Sequence, residues 1–342
     1  MYKAIFRVDG SYELGMGDIV SCINLALELK DFDILFLSKY DEGIDKIKEF
    51  GYKVEKIPED FDLEQEIAFI KKSNERFNPN IIITEHIRQD YEEFCKRLSK
   101  INKTLVIDFF GNIEIYNDIL LNWNISEENQ IYTKKNLSTN YYFGPKYVLL
   151  KESFANYHNL TKSIKDKVKK VLISVGGGDV RNLTPKIIDA LKEFKELELD
   201  VVVGSAFKNR NEILKTLEKN KLNYNLIETK NDLSKEIYDA DLAISPGGLN
   251  AFQLSSIGTP FLAIGATAWE TERLKKMQEL GICKFMGNFE NFKKETLCEN
   301  FKYLSDNKKE REKMSLNGKK LVDGKGSIRV SEIIINKIKN GN

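Results

Sequence analysis

Short runs of apolar and β-branched residues alternate with longer amphipathic stretches along the whole chain. The runs predict strands at Tyr2–Val8, Asp33–Ser38, Ile81–Thr84, Thr104–Ile107 and Ile119–Asn122, and again at Lys170–Val175, Asp200–Val203, Asn223–Ile227, Leu242–Ser245 and Phe261–Ile264. The amphipathic stretches predict helices at Ile19–Leu29, Gly43–Phe50, Asp62–Phe77, Pro185–Leu197, Asn211–Lys219, Leu233–Tyr238, Asn250–Ile257 and Trp269–Leu280. Such alternation predicts parallel sheets with helices on both faces.

Two blocks of this alternation predict an α/β chain of two doubly wound, Rossmann-like domains, in agreement with the length of 342 residues. The first domain is expected over residues 1–150 and the second over residues 168–325. The polar and charged segment 151–167 is the natural linker between them.

Charge balance and the length of the apolar runs argue against a nucleic-acid-binding protein and a membrane-spanning protein. The 53 Lys and Arg residues nearly balance the 52 Asp and Glu residues, which argues against a nucleic-acid partner. No apolar run approaches the roughly 18 residues of a membrane span, and the chain enters a strand pattern at once, without the apolar stretch of a signal peptide. We therefore expect a cytoplasmic protein that does not insert into a membrane, and a monomer is compatible with the sequence.

Cysteine and histidine usage speaks against a disulfide scaffold and a zinc site. The four cysteines, Cys22, Cys95, Cys283 and Cys298, are far apart and form no CxxC pair, and the chain has 2 histidines. We expect neither a metal nor a cofactor.

Ligands of open α/β sheets bind beyond the carboxyl ends of the strands, so the strand-to-helix loops are informative. The first such loop contains Gly15 and Gly17, which allow a tight turn and a close approach to a ligand. Asp18 follows directly, either as the N-cap of the next helix or as a side chain presented to substrate. The N-terminus of that helix favours anions.

Two further loops are rich in glycine. Gly176, Gly177 and Gly178 follow the strand at 171–175, before Thr184-Pro185, which predicts an N-cap and the first residue of a helix. They permit the approach of a ligand, although a tight turn without a ligand is the alternative.

The third loop has Gly247 and Gly248 at the start of a helix, a plausible cradle for a diphosphate. Gln253 lies one turn later and could reach a sugar hydroxyl. The alternative is again a simple strand-to-helix turn.

The loops and their flanking motifs resemble the pseudaminic-acid UDP-sugar hydrolases and the related spore-coat polysaccharide glycosyltransferases. The similar motifs, in chain order, are Arg7–Ser11 with Gly15 and Gly17, Asp118–Asn122, Tyr142–Leu150, Gly176–Thr184, Ser245–Gly248 and Asp323–Arg329. The resemblance covers nearly the whole chain. It implies the GT-B fold, two domains facing a cleft, with a nucleotide-binding second domain and a last helix at 326–342 that returns toward the first domain.

The resemblance also implies roles for individual residues. Substrate binding falls to Arg7, Asp9, Gly15, Gly17, Ser21 and Glu270, and nucleotide binding to Gly176, Gly177, Gly247, Gly248, Asn250 and Gln253. The family's base is a histidine, and Asp18 stands in its place. Ser21 replaces an arginine, Asn250 a threonine, Gln253 a glutamate, and Glu270 stands near the position of a glutamine.

Three functions are compatible with these residues, of which we expect the first, and the other two are alternatives. The first is a UDP-sugar hydrolase of nonulosonic-acid or surface-polysaccharide biosynthesis. The second is an inverting glycosyltransferase, in which an acceptor hydroxyl replaces the water. The third is a non-catalytic protein that binds nucleotide sugars. In each case the expected partner is a UDP-sugar.

The replacement of histidine by Asp18 has a definite expected cost. An ordinary Asp has a pKa about 2.6 units below that of His, which would slow general-base catalysis by about twentyfold. Burial would recover part of this loss by raising the pKa. Carboxylate bases also occur in glycosyltransferases of this fold, so Asp18 favours the transferase. His86 is an alternative base, and Trp269 could stack on a sugar or pack in the core.

Overall fold

The computed structural model describes residues 1–85, 88–109, 111, 114, 116–125, 132, 139–204, 207–228 and 231–340. The chain forms two compact units, residues 1–150 with 325–342 and residues 151–324. Each unit is built on one parallel sheet, so the prediction of an α/β chain with two doubly wound domains is confirmed.

The first unit alternates strands and helices. Its strands are β1 (Tyr2–Val8), β2 (Phe32–Ser38), β3 (Lys53–Lys56), β4 (Ile81–Glu85), β5 (Thr104–Ile107), β6 (Ile119–Asn122) and β7 (Asn140–Phe143). Its first helices are α1 (Gly17–Glu28), α2 (Asp41–Glu49), α3 (Leu63–Phe77) and α4 (Tyr91–Leu98). Within the described residues the strand order is β3-β2-β1-β4-β5-β6-β7, and all neighbours are parallel.

This order places the carboxyl ends of β1 and β4 side by side, where the winding of the sheet reverses direction. Such a switch point is where doubly wound sheets bind ligands. The central strands are held there by burial, since Ile5, Ile82 and Val106 pack with Ile70 of α3 and Phe94 of α4 in one apolar core.

The last helix, α13 (Gly326–Lys339), belongs to the first unit. Its first residue must be glycine, because a Cβ on Gly326 would lie 2.0 Å from the carbonyl oxygen of Val148. Ser327 donates to the carbonyl of Leu150 at 2.7 Å, and Arg329 donates to the carbonyl of Lys146 at 2.8 Å. The start of α13 is therefore fixed against the segment after β7.

The second unit repeats the architecture. Its strands are β8 (Lys170–Ile173), β9 (Glu198–Val203), β10 (Asn223–Glu228), β11 (Leu242–Pro246), β12 (Phe261–Gly265) and β13 (Lys284–Asn288). Its helices are α5 (Glu152–His158), α6 (Leu183–Ala190), α7 (Arg210–Asn220), α8 (Ser234–Asp239), α9 (Leu249–Ile257), α10 (Ala268–Glu279), α11 (Lys294–Asp306) and α12 (Lys308–Leu321). In the described part, the strand order is β10-β9-β8-β11-β12-β13, all parallel, so β8 and β11 meet at the switch point.

Several boundaries differ from the sequence-based prediction. The expected linker 151–167 contains α5, and the ring of its last residue, His158, contacts the carbonyl oxygen of Ser256 at 2.8 Å. Helix α6 ends at Ala190 rather than at Leu197.

No described helix combines the length and the apolar character that crossing a membrane would require.

Candidate functional site

Three polar side chains meet at the switch point of the first unit. Val8, the last residue of β1, pairs in register with Glu85, the last residue of β4. Asp9 follows β1 directly, and Asp18 lies in the first turn of α1, after the glycine loop. The carboxyls of Asp9, Asp18 and Glu85 therefore share one edge of the sheet.

Arg7 is part of the frame beneath this edge. It is 0% exposed, and it donates from Nη2 to Asp9 and from Nε to Glu66 of α3, both at 2.7 Å. Lys39 pairs with Glu66 at 3.0 Å, and its backbone N–H donates to Asp9 at 2.8 Å. Arg7 is thus enclosed within its own unit, where its guanidinium pairs with both Asp9 and Glu66.

Asp18 is not an N-cap. Helix α1 begins at Gly17 with Met16 as its N-cap, and the Asp18 side chain makes no capping hydrogen bond. The loop before it is closed by two backbone hydrogen bonds between Ser11 and Gly15, and Gly15 has φ +87°, a conformation that favours glycine. The interpretation of Asp18 as the N-cap was wrong, and the Asp18 carboxyl is available for another role.

The pKa of Asp18 is raised to about 7 by burial and, in second place, by the negative charge of Asp9. A carboxyl with this pKa is half ionised at neutral pH, as an ordinary histidine nearly is. The twentyfold penalty expected for replacing histidine by aspartate is therefore offset by the surroundings of Asp18.

Glu85 was missed by the sequence reasoning. It is 1% exposed, and its Oε2 lies within hydrogen-bonding distance of the Ser21 hydroxyl and 3.4 Å from the sulfur of Cys22. Burial and the charge of Asp18 raise the pKa of Glu85 well above its usual range. Ser21, predicted to contact substrate, is buried and bonds Glu85 and the carbonyl of Asp18. His86 lies outside the described residues.

In the second unit, the loop after β8 is tied to its own helix. Gly176 has φ +94°, as a close turn requires, and Asp179 has φ +43°. The Asp179 carboxyl accepts from the N–H groups of Leu183 and Thr184 at 2.7 and 3.0 Å, and from Asn209 at 2.8 Å. Helix α6 begins at Leu183, so the prediction of Thr184 as N-cap was wrong. The N-terminus of α6 is already occupied by a carboxylate.

The N-terminus of α9 differs. Its N-cap is Gly248, and within the described part of the chain no side chain caps its first turn. Asn250 donates to the hydroxyl of Ser174 at 2.9 Å, which joins the second and third glycine loops. Gln253 lies one turn further and is partly exposed. The Glu270 carboxyl already interacts with the N–H of Gly247, so the uncapped N–H groups of the first turn of α9 are the part of this end that suits an anion.

Glu270 and Arg273 of α10 contact the glycines that precede α9. Glu270 accepts from the N–H of Ala266 at 2.9 Å, and a Cβ on Gly248 would lie 3.2 Å from its Oε1. Burial raises the pKa of Glu270, partly opposed by backbone N–H groups and Arg273. Arg273 donates to the carbonyl of Gly247 at 3.0 Å, and its guanidinium lies 4.6 Å from the Trp269 ring centre. Trp269 thus packs on Arg273.

The described residues contain no group of three or more His, Cys, Asp or Glu side chains arranged to hold a metal ion.

Known structures resemble both units together. The crystal structure of MurG from Acinetobacter baumannii superposes with a TM-score of 0.70 over 98% of this chain and 100% of that chain, at 11% sequence identity. The chain has the GT-B fold. A UDP-GlcNAc 2-epimerase from Neisseria meningitidis, solved with UDP-GlcNAc bound, also has this fold, with a TM-score of 0.64, 15% identity and coverage of 97% of this chain and 100% of that chain.

Sequence comparison adds relatives of this GT-B chain. The spore coat polysaccharide biosynthesis protein SpsG of Bacillus subtilis is 26% identical over 340 residues, which cover 98% of both chains. The uncharacterised protein MJ1062 of Methanocaldococcus jannaschii is 31% identical over 277 residues; the match covers 77% of this chain but 55% of that relative. The family described as lipid-A-disaccharide synthetase matches residues 111–265. These likenesses support a glycosyltransferase-like protein better than the hydrolase suggested by the motifs.

Proposed function

We propose that this protein is an inverting glycosyltransferase that uses a UDP-sugar donor, with Asp18 as its general base. The observation that carries the proposal is the Asp18 carboxyl, set by the glycine loop at the start of α1, with a pKa raised to about 7 by burial and by Asp9. General bases work best when their pKa lies near the working pH.

The relatives support the nature of the substrate. The relatives include a spore coat polysaccharide biosynthesis protein, the lipid-A-disaccharide synthetase family and an epimerase with UDP-GlcNAc bound. The bound UDP-GlcNAc supports a UDP-sugar as the donor proposed here, and an acceptor hydroxyl is what separates transfer from hydrolysis.

In the proposed reaction, the acceptor hydroxyl attacks the anomeric carbon of the donor sugar. The new carbon–oxygen bond forms on one face while the bond to the diphosphate oxygen breaks on the other, and the electron pair leaves with UDP. Asp18 accepts the proton of the acceptor hydroxyl as that oxygen forms its bond. Ionised Asp18 is consumed in this step, so activity requires a pH near or above its pKa.

The leaving diphosphate needs positive partial charge. The first turn of α9 offers it, because Gly248 has no side chain to occupy those N–H groups. The first turn of α6 does not, because Asp179 takes its N–H groups. We therefore assign the diphosphate to Gly247, Gly248 and the start of α9. We assign Gly176 and Gly177 to the neighbouring lining of the same site.

The test measures UDP release from UDP-GlcNAc, with and without a panel of sugar and lipid-linked acceptors. A transferase releases UDP only with an acceptor and forms a new glycoside. Release of UDP and free sugar at the same rate without any acceptor would identify the hydrolase instead. Asp18→Asn should abolish the turnover found, while Asp41→Asn, which removes a carboxyl from the first turn of α2, should not.

A further inference from the structure

The Asp18 site contains a second carboxyl with no role so far. Glu85 closes β4 beside Val8 and is almost completely buried. Its Oε2 contacts Ser21 and Cys22, which follow Asp18 by about one helical turn. Glu85 thus connects the first turns of α1 to the central strand of the sheet.

The hydrogen-bonding partners of Ser21 indicate the protonation state of the Glu85 carboxyl. Ser21 Oγ lies within hydrogen-bonding distance of two oxygens, the carbonyl oxygen of Asp18 at 2.9 Å and Oε2 of Glu85. A hydroxyl has one proton, and a carbonyl oxygen can only accept. When Ser21 donates to the Asp18 carbonyl, the proton between Ser21 and Glu85 must belong to Glu85.

The charges around Glu85 point the same way. Burial and then the negative charge of Asp18 raise the pKa of Glu85, while the hydrogen bonds with Ser21 and Cys22 oppose this rise; no cation of the described residues is among these groups. This differs from Asp9 and Glu66, which Arg7 contacts directly. A buried carboxyl without a cation favours its neutral form.

We propose that Glu85 is a positioning residue: its neutral carboxyl bonds Ser21 and Cys22 and leaves Asp18 as the one carboxyl of the pair that is ionised and able to accept a proton in catalysis. The use of Asp18 in catalysis rests on the proposed function; the protonation of Glu85 does not. A neutral Glu85 fixes α1 against β4 without placing a second negative charge beside the base.

The test is a carbon-13 NMR titration of the aspartate and glutamate carboxyls, in the absence of any nucleotide sugar. Glu85→Gln keeps the size and a carbonyl acceptor and imitates the protonated side chain. We expect the measured pKa of Asp18 in E85Q to stay within about half a unit of its value in the unsubstituted protein. A second step, at the higher pH where Glu85 ionises, should disturb the Asp18 signal in the unsubstituted protein and be absent from E85Q.

An ionised Glu85 would give a different result in this titration. If Glu85 is ionised while Asp18 titrates, its like charge raises the pKa of Asp18, and E85Q should lower that pKa by about one unit or more. That result would overturn the proposal. Glu93→Gln, at a half-exposed position of α4 where the carboxylate pairs with Arg97, is the matched control and should leave both steps in place.

A second measurement does not depend on the folding of E85Q. The carboxyl carbon of Glu85 in the unsubstituted protein should show the chemical shift of a protonated group at pH 7, and the shift of an ionised group would contradict the proposal. Neither measurement involves turnover, so a failure of the proposed transferase activity would leave this result unaffected.

Discussion

Asp9 and Asp18 are two carboxyls of opposite character at one sheet edge. Asp9 accepts hydrogen bonds from Arg7 and from the N–H of Lys39, which keep it ionised. Asp18 makes no capping bond, and burial together with the charge of Asp9 raises its pKa to about 7. The fixed charge of one residue thus tunes the titration of the other, as in acid–base pairs whose surroundings separate their pKa values.

This tuning predicts a pH-dependent stability. The folded protein keeps the Asp18 proton up to about pH 7, whereas the unfolded chain releases it near pH 4. The stabilisation is therefore complete below pH 4 and is lost as the pH rises to 7. Asp18→Asn does not titrate, so the free energy of unfolding of this variant, relative to that of the unsubstituted protein, should rise by about 4 kcal/mol between pH 4 and pH 8.

Urea unfolding at several pH values measures this difference. Asp41→Asn, a first-turn carboxyl on α2, is the control for general effects of charge removal. A constant difference between Asp18→Asn and the unsubstituted protein across this pH range would show that the pKa of Asp18 is ordinary.

The buried frame under the site predicts a large loss of stability. Arg7→Leu would leave Asp9 and Glu66 without the guanidinium that contacts both, at a cost of about 3–5 kcal/mol. Arg76→Ala removes the exposed ion pair with Glu55 and should cost less than about 1 kcal/mol. Equal urea midpoints for the two variants would refute the structural role of Arg7.

Two substitutions of Asp179 separate the stability contributed by its hydrogen bonds from the strain of its left-handed backbone. Asp179→Ala removes the three hydrogen bonds that its carboxyl accepts and leaves an alanine at φ +43°, so we expect a loss of about 2–3 kcal/mol. Asp179→Gly loses the same bonds but tolerates this φ, and it should be more stable than the alanine variant by about 1 kcal/mol. If glycine were the worse substitution, the left-handed backbone at position 179 would not strain the alanine variant, because both variants lose the same hydrogen bonds.

Two helix N-termini of the second unit predict where UDP binds. Amide hydrogen exchange with and without UDP compares Gly248, Leu249 and Asn250 at α9 with Leu183 and Thr184 at α6. Protection by UDP should appear at α9, because its N–H groups have no side-chain cap, and not at α6, where Asp179 accepts the bonds. Protection at α6 alone would move the diphosphate to the second glycine loop.

Much of the fold followed from the sequence, because buried parallel strands are continuous apolar runs. The strands that were missed, β3, β7 and β13, are all at or next to the edge of a sheet. The residues of β3 are partly or fully exposed, so its sequence Lys53–Lys56 contains no apolar run to recognise. Helix α5 was missed because its segment is polar and short.

The site was harder to predict. Glycine loops mark the sheet edges in the sequence, so Asp18 could be singled out. The resemblance implied that Arg7 binds substrate, and nothing near it in the sequence indicates its burial, because its partner Glu66 lies 59 residues away. Glu85 ends an apolar strand and looks like an ordinary boundary residue; its importance comes from Ser21 and Cys22, 64 and 63 residues earlier. The signal that could have found it is the pairing of strand ends at the switch point.

The central claim is that Asp18 is the general base of a UDP-sugar-dependent transferase. The most direct measurement compares kcat for acceptor-dependent UDP release between the unsubstituted protein and Asp18→Asn. Asparagine keeps the size and removes the basicity, so kcat should fall by about 10²–10⁴ while the Kd for UDP stays within a few-fold. Asp18→His, which restores a base of similar pKa, should recover activity well above that of Asp18→Asn. An Asp18→Asn variant with unchanged kcat would contradict the account.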